Sequence, residues 1–182
     1  QTERPTLEQL ASGFDYCVRK AQEFQPDVIL AINRGGSLIA GYLARAIGIQ
    51  FIHHVAVYLD SKGKPKFDFP GCLRRREFTE IPKDDDSIDV LVVDDCHWND
   101  EYMEKTVEWL QHEYPKARIR TLVLVKLDIS VPGTPLGHKT SKQNADKVDI
   151  FAFSTSISKC FMPWDSGREI STIAKRERPL GY

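Results

Sequence analysis

The stretch that decides the fold is DVILAINRGGSLIAGYLARAIG, residues 27–48. It opens with a continuous apolar run that ends at Asn33, which is typical of a strand buried on both faces of a sheet. Arg34 and two glycines come next, followed by apolar residues at helical spacing up to Gly48. A second strand-like run, FIHHVAVYL, begins at residue 51. Strand, glycine turn, helix and strand make a βαβ unit, which predicts a parallel sheet.

The rest of the chain continues this alternation. Residues 6–24 predict a helix that opens with a capping box of Thr6 and Gln9. Three further strand patterns follow, DVLVVDD, RIRTLVLVKL and VDIFAFS, and the helical pattern EYMEKTVEWLQHEY separates the first two. We therefore predict one domain over residues 1–182, α/β in class, with a doubly wound, mostly parallel sheet of about five strands. Ligands of such sheets bind at the carboxyl ends of the strands.

In two segments the apolar residues recur at neither helical nor strand spacing: Leu59 to Ile88 and Ile129 to Lys147. A structureless segment as long as the first is typical of a functional flap or a disordered loop. The second is rich in proline and glycine and is predicted to be a loop.

Composition narrows the classes of protein to which this chain can belong. The formal net charge of −1 gives no general indication of a nucleic-acid or membrane partner. No apolar run approaches the roughly 20 residues of a membrane span, and the first residues lack a signal-peptide core. The four cysteines are scattered without a CxxC pair, and His53-His54 lack helical ligand spacing. These features favour a cytoplasmic protein with reduced thiols over a zinc site.

The RGG turn, Arg34 to Gly36, is the first candidate site. Glycines there allow close backbone approach, and the amides that open the next helix can bind an anion beside Arg34. The turn matches neither GxGxxG nor a phosphate-binding P-loop, which counts against dinucleotides and P-loop chemistry. A tight turn with a surface arginine explains the motif equally well.

The second candidate is the acidic pair that ends the strand VLVV, Asp94 and Asp95. Two carboxylates at the carboxyl end of a strand can hold Mg²⁺ or accept hydrogen bonds from sugar hydroxyls. Their side chains diverge, so that one can face a ligand and the other the protein. The competing interpretation is a solvated strand end that caps the next turn.

Together these stretches resemble the type I phosphoribosyltransferases, above all the purine-salvage branch typified by xanthine-guanine phosphoribosyltransferase. The resemblance continues through YPKARIRTLVLVK and MPWD and covers most of residues 26–165. It implies a small hood, Mg²⁺ and transfer of ribose 5-phosphate from phosphoribosyl pyrophosphate to a base. Catalysis would then depend on positioning and on stabilising the departing pyrophosphate. Members of the family often form dimers or tetramers, so the resemblance also implies a homo-oligomer.

The resemblance assigns roles to particular residues. Arg34, Gly35 and Gly36 match the pyrophosphate loop, and Asp94 and Asp95 match the acidic pair that holds the ribose hydroxyls. Two further matches concern the base: Lys126 matches the lysine that reads a purine's exocyclic oxygen, and Phe161 or Trp164 would form an aromatic wall of the base pocket. The basic side chains of the flap would meet phosphates, and they include Arg74, Arg75 and Arg76. A charge run is more often simply solvated, and a large aromatic is core by default.

The match breaks directly after the acidic pair. The family continues there with D-T-G-x-T, a loop that cradles the 5′-phosphate, whereas this chain has Trp98, Asn99, Asp100, Glu101 and Tyr102. Asn99 is a good N-cap, and two acidic residues in the first turn suit the helix dipole and repel a phosphate. A carboxylate about 5 Å from a phosphate costs ~3 kcal/mol at an effective dielectric of about 20, roughly a hundredfold in affinity. A shift of two residues would let Asp100 serve as the catalytic base.

Three functions remain open. The favoured one is a divergent member of the fold that handles a ribosyl or nucleotide ligand by transfer or cleavage of an N-glycosidic bond. The second is a non-catalytic scaffold that senses a nucleotide or binds a protein or nucleic-acid partner through Arg74 to Arg76. The third is an orthodox Mg²⁺-dependent purine phosphoribosyltransferase. Fold alone does not choose among them.

Overall fold

The computed structural model describes residues 6–75, 79–85, 88–97, 100–127, 148–155 and 162. Three helices and six strands lie within these ranges. In chain order they are α1 (Leu7–Phe24), β1 (Val28–Ile32), α2 (Gly35–Ile47), β2 (Ile52–Leu59), β3 (Pro65–Asp68), β4 (Asp89–His97), α3 (Asp100–Glu113), β5 (Arg118–Leu127) and β6 (Ile150–Thr155). No helix in the described part of the chain is long and apolar enough to cross a membrane.

The strands form one sheet in the order β3-β2-β1-β4-β5-β6. Every neighbouring pair is parallel except β2 and β3, which form an antiparallel hairpin. All five predicted strands are confirmed, and β3 is an additional strand at the edge. The chain order reverses between β1 and β4, so the carboxyl ends of these two central strands lie side by side. This is the switch point at which doubly wound sheets bind ligands.

Helices cover both faces of the sheet, as the doubly wound prediction requires. On one face, apolar residues of α1 and α2, such as Cys17, Ile39 and Leu43, pack with Leu91 of β4. On the other face, α3 packs through a separate cluster that includes Met103 and Leu110. Burial on both sides explains why the central strands are apolar without alternation: all five residues of β1 are buried.

The predicted start of α1 is confirmed. The Gln9 amide donates to Thr6 Oγ1 over 3.1 Å, and the Thr6 amide donates to Gln9 Oε1 over 2.8 Å. This reciprocal capping box satisfies two amide groups that the helix itself cannot satisfy. Cys17 lies on the buried face of this helix with a free thiol, and burial raises the pKa of that thiol to about 12.

The segment predicted to be structureless, Leu59 to Ile88, is partly ordered, so that prediction was wrong where the segment forms a strand, and its role as a flap stays a prediction. It contains β3 and an isolated antiparallel bridge between Arg74 and Glu80. Its aromatic residues stack on α3, with Phe69 parallel to Trp109 at 5.0 Å between ring centroids. The apolar residues are irregularly spaced because they pack against α3, whereas regular spacing arises when the residues line one face of a helix or strand.

Two side chains of the body hold the second half of this segment. The buried Leu73 amide donates to Tyr114 Oη over 2.8 Å, and the Arg74 amide donates to His53 Nε2 over 2.9 Å. Burial lowers the pKa of His53, which keeps the imidazole in the neutral form that accepts this hydrogen bond. The segment is therefore attached to the sheet and to the residue that follows α3 by directed polar contacts.

We expect Tyr114→Phe to loosen this attachment. Removal of the hydroxyl leaves the buried Leu73 amide without its acceptor, which costs about 1–3 kcal/mol. Tyr58→Phe is the matched control, because Tyr58 is 57% exposed. Limited proteolysis should cut residues 71–85 faster in the Tyr114 variant and at the wild-type rate in the Tyr58 variant. Equal rates in both variants would contradict the anchoring role.

Candidate functional site

The turn between β1 and α2 places the first amides of a helix at the carboxyl edge of the sheet, where the Gly36 amide donates to the carboxyl group of Asp94. α2 begins at Gly35, and its N-cap residue, Arg34, makes no capping hydrogen bond through its side chain. The Arg34 side chain is exposed, and the Asn33–Arg34 peptide bond is cis. A helix start that its own N-cap side chain leaves uncapped, beside a guanidinium, suits an anionic ligand.

The two glycines of this turn are needed because β4 passes directly beneath them. A Cβ on Gly36 would lie 2.4 Å from the backbone oxygen of Val93. A Cβ on Gly35 would lie 2.0 Å from Oδ2 of Asp95. The close backbone approach predicted for the RGG turn is confirmed, and the approaching group is the acidic end of β4.

The acidic pair occupies two different environments. Asp95 packs its carboxylate against Gly35, and the Asp95 amide donates to Asp94 Oδ1 over 2.8 Å. Both residues keep part of their surface accessible, but protein atoms surround the carboxyl group of Asp94. Burial and the neighbouring charge of Asp95 raise the pKa of Asp94 well above its usual value. The side chains of the two residues also make a hydrogen bond to each other, so the prediction that they diverge was wrong.

The structure therefore brings together the two motifs that the sequence singled out. β1 and β4 are neighbours, with Ala31 in register with Val93, so Arg34 to Gly36 lie over Asp94 and Asp95. A positively charged turn above two carboxylates at a switch point is an arrangement that binds phosphate and hydroxyl groups of one ligand.

Lys126 lies near the end of the adjacent strand, β5, in register with His97. Its ammonium group lies 5.1 Å from the ring centroid of Phe151 on β6. Phe151 is 37% exposed, and sequence reasoning missed it because an aromatic residue in a strand is core by default. The predicted aromatic residues Phe161 and Trp164 lie outside the described residues.

The end of the site where the family resemblance fails is the start of α3. That helix begins at Asp100, and Trp98 and Asn99 lie outside the described residues. Asp100 and Glu101 are the first two residues of this helix, the position at which acidic residues suit the helix dipole. The catalytic role assigned to Asp100 stays a prediction.

The acidic pair also fits a magnesium ion in chemical type. Mg²⁺ prefers carboxylate oxygens, keeps several waters and often binds through one or two carboxylates plus substrate phosphates. Asp94 and Asp95 provide two carboxylates, and in the described ranges no group of three or more His, Cys, Asp or Glu residues is placed to hold a metal. A ligand phosphate and water would therefore have to complete the coordination.

A hydrogen-bonded cluster beside the RGG turn was not predicted. Asn33 Oδ1 lies 2.5 Å from Ser37 Oγ and 3.0 Å from His54 Nδ1. The sequence analysis considered His54 only when it set a zinc site aside, because the register between β1 and β2 that brings His54 to the turn is visible only in the structure.

Comparison with solved structures identifies the fold. No family model and no curated protein matches the chain by sequence. Among solved structures, a purine phosphoribosyltransferase from Pyrococcus horikoshii matches with a TM-score of 0.67 at 21% identity, covering 93% of this chain and 97% of that one. The xanthine-guanine-hypoxanthine phosphoribosyltransferase of Helicobacter pylori matches with a TM-score of 0.65 at 12% identity, covering 97% and 99%.

A third solved structure, a hypothetical protein from Neisseria gonorrhoeae with bound ppGpp, matches with a TM-score of 0.61 at 18% identity and covers 96% of this chain and 94% of that one. Identities this low establish the fold alone. The predicted resemblance is confirmed at that level: the chain has the type I phosphoribosyltransferase fold, as the purine-salvage enzymes do.

Proposed function

We propose that the chain binds a ribosyl compound that carries phosphate, such as a nucleotide, at the carboxyl ends of β1 and β4. The turn Arg34 to Gly36 binds the phosphoryl group, and Asp94 and Asp95 bind ribose hydroxyls, directly or through Mg²⁺. The observation that carries this proposal is the packing of Gly35 and Gly36 onto the acidic end of β4, with a Cβ on Gly35 only 2.0 Å from Asp95 Oδ2. Both halves of the site therefore reach one ligand.

The reaction we propose is transfer or cleavage at the N-glycosidic bond. In cleavage, the bond between C1′ and the base nitrogen breaks, the oxygen of water forms the new bond to C1′, and its proton goes to the departing base. The chain's own residues would hold the sugar and its phosphate in place while positive charge develops at C1′. Lys126 near Phe151 supports a base subsite at the end of β5, where an ammonium group can read an oxygen of the base.

We further propose that the 5′-phosphate cradle of the family is lost. Its place in the sequence holds the acidic opening of α3, Asp100 and Glu101. A phosphate there would meet negative side-chain charge instead of amide and hydroxyl donors. Ligands whose affinity depends on that phosphate, phosphoribosyl pyrophosphate among them, should therefore bind weakly.

Nucleotide sensing without turnover is the second candidate. It is supported by the Neisseria gonorrhoeae protein of the same fold, which was solved with bound ppGpp. A ligand with several phosphates could place one of them at Arg34 without using the position at α3. The two candidates share the binding site and differ only in whether the glycosidic bond is broken.

Partner binding through the basic cluster and assembly into a homo-oligomer stay predictions. Two members of the cluster already make ion pairs within the chain. Arg75 contacts Asp85 at 2.9 Å, and Arg74 contacts Glu80 at 3.5 Å. Arg76 lies outside the described residues. A partner would have to compete with these pairs for Arg74 and Arg75.

The test of the proposed function is Asp94→Asn, with exposed Asp15→Asn on α1 as the control for loss of a charge. In the free protein burial and Asp95 raise the pKa of Asp94, but a bound Mg²⁺ would favour the charged form, which asparagine cannot adopt. A hydrogen bond to a charged group contributes about 1.5–3 kcal/mol, so nucleotide affinity in Mg²⁺ should fall roughly 10- to 100-fold. Calorimetry measures the binding, and chromatography of the free base measures cleavage. Unchanged binding and cleavage in Asp94→Asn would rule out a role for the acidic pair.

A further inference from the structure

The cluster beside the RGG turn determines the hydrogen-bonding state of His54. Asn33 Oδ1 is an acceptor, so both of its close neighbours, Ser37 Oγ at 2.5 Å and His54 Nδ1 at 3.0 Å, must donate to it. The 3.2 Å separation of Ser37 Oγ and His54 Nδ1 is then the contact between two donors that share one acceptor. His54 therefore carries a proton on Nδ1, and the lone pair of its neutral form lies on Nε2.

This geometry leaves one ring nitrogen free for a ligand. In a histidine that carries two protons both nitrogens donate, so Nδ1 can bond Asn33 while Nε2 donates to another group. The His54 side chain is exposed, and its Nε2 makes no hydrogen bond within the described residues. The ring is held through Nδ1 against Asn33 and Ser37, the two residues that flank the turn, and Nε2 stays available to a ligand.

We propose that His54 is a second cationic group of the anion site at Arg34 to Gly36 and that it binds a phosphoryl group through Nε2 when protonated. This inference rests on the proposed function, because it takes the turn to be the phosphoryl subsite. Histidine is the side chain whose charge changes between about pH 5 and 8. Affinity for a phosphoryl group should therefore increase as pH falls through that range.

Other charged groups around His54 set the background for this effect. The turn contributes Arg34, and β4 contributes Asp95 beneath Gly35. β3 contributes two charged residues, Lys66 and Asp68. Their partners on β2 are Tyr58 and Ala56, and alternate residues of a strand share a face, so both lie on the face of the sheet that carries His54. α2 offers Ser37, and its charged residue, Arg45, lies in its last turn. Next along β2 is His53, which is buried and bonded to Arg74.

The experiment measures the affinity of inorganic pyrophosphate for the full chain by calorimetry at about pH 6 and pH 8, the range in which histidine titrates. The variants are His54→Gln, which cannot gain a charge, and His54→Lys, which keeps one at both pH values. Pyrophosphate itself also titrates, but it does so equally with every variant. The ratio of wild-type to variant affinity at each pH therefore isolates residue 54.

We expect wild-type affinity to rise about tenfold more than that of His54→Gln between the higher and the lower pH, since one exposed charge pair is partly screened. His54→Lys should bind at the higher pH at least as tightly as wild type. A purely structural role for His54, that of holding Asn33, predicts neither result. Parallel pH profiles for wild type and His54→Gln, or weak binding by His54→Lys, would overturn the proposal.

Arg34→Gln separates this inference from the proposed function. If Arg34→Gln abolishes pyrophosphate binding while the wild-type and His54→Gln profiles stay parallel, the phosphoryl site stands and only the role of His54 fails. If wild type does not bind pyrophosphate at either pH, the turn is not a phosphoryl site and both proposals fail.

Discussion

Gly36→Ala is expected to destabilise the protein by about 3 kcal/mol, the upper end of the usual cost of overpacking. The new Cβ would lie 2.4 Å from the Val93 backbone oxygen and 3.1 Å from Asp94 Cα, and neither atom can rotate away. β4 and the start of α2 would have to separate, which pulls apart the two halves of the site. In a domain of this size the unfolding temperature should fall by roughly 6–12 °C, and scanning calorimetry measures it.

The chain supplies two matched comparisons for this prediction. A Cβ on Gly35 would meet the carboxylate of Asp95, a side chain that can rotate, so Gly35→Ala should cost less stability but still displace a ligand-binding group. Gly41 lies in the interior of α2 with open space around its Cβ position, so Gly41→Ala should stabilise the helix by about 0.5–1 kcal/mol. A Gly36 variant as stable as the Gly41 variant would contradict the packing described here.

The second large effect is a gain of affinity on removal of negative charge at the start of α3. Asp100→Asn combined with Glu101→Gln should strengthen binding of phosphoribosyl pyrophosphate by at least about tenfold, because charges about 5 Å apart interact by ~3 kcal/mol at an effective dielectric of about 20. The same change removes carboxylates that favour the helix dipole, at a cost of about 0.3–1 kcal/mol each. Titration of the variant and wild type with phosphoribosyl pyrophosphate measures the gain.

Two controls give this prediction its specificity. Glu104→Gln, one turn further along α3, changes the net charge without changing the first turn. A nucleoside without the 5′-phosphate should bind wild type and the double variant equally. If the double variant and Glu104→Gln give the same change, general electrostatics and not the lost cradle would explain it.

The central architecture was readable from the sequence because its signals are strong and local. Strands buried on both faces are apolar throughout, and the RGG turn follows the first of them directly. The edge strand β3 was missed because it has only four residues and begins with Pro65, which gives no periodic signal. Its pairing depends on β2 across a turn in which Asp60 accepts hydrogen bonds from two following amides.

The candidate site was predictable in its residue types but not in its contacts. Sequence reasoning identified Gly35, Asp94 and Asp95, yet it did not reveal that the carboxylate of Asp95 lies against Gly35. His54 was missed because its approach to Asn33 follows from the pairing of β1 with β2, where Ala31 lies opposite His54. Register between distant strands depends on tertiary packing, which a single sequence leaves open.

The most direct test of the account is a calorimetric titration of the wild-type chain in Mg²⁺ with phosphoribosyl pyrophosphate, purine nucleoside monophosphates and free nucleosides. The account predicts binding of a nucleotide that Asp94→Asn weakens, and binding of phosphoribosyl pyrophosphate that is weaker than micromolar because of the acidic start of α3. Micromolar binding of phosphoribosyl pyrophosphate would contradict it, and would identify the acidic start of α3 as part of a working phosphate site.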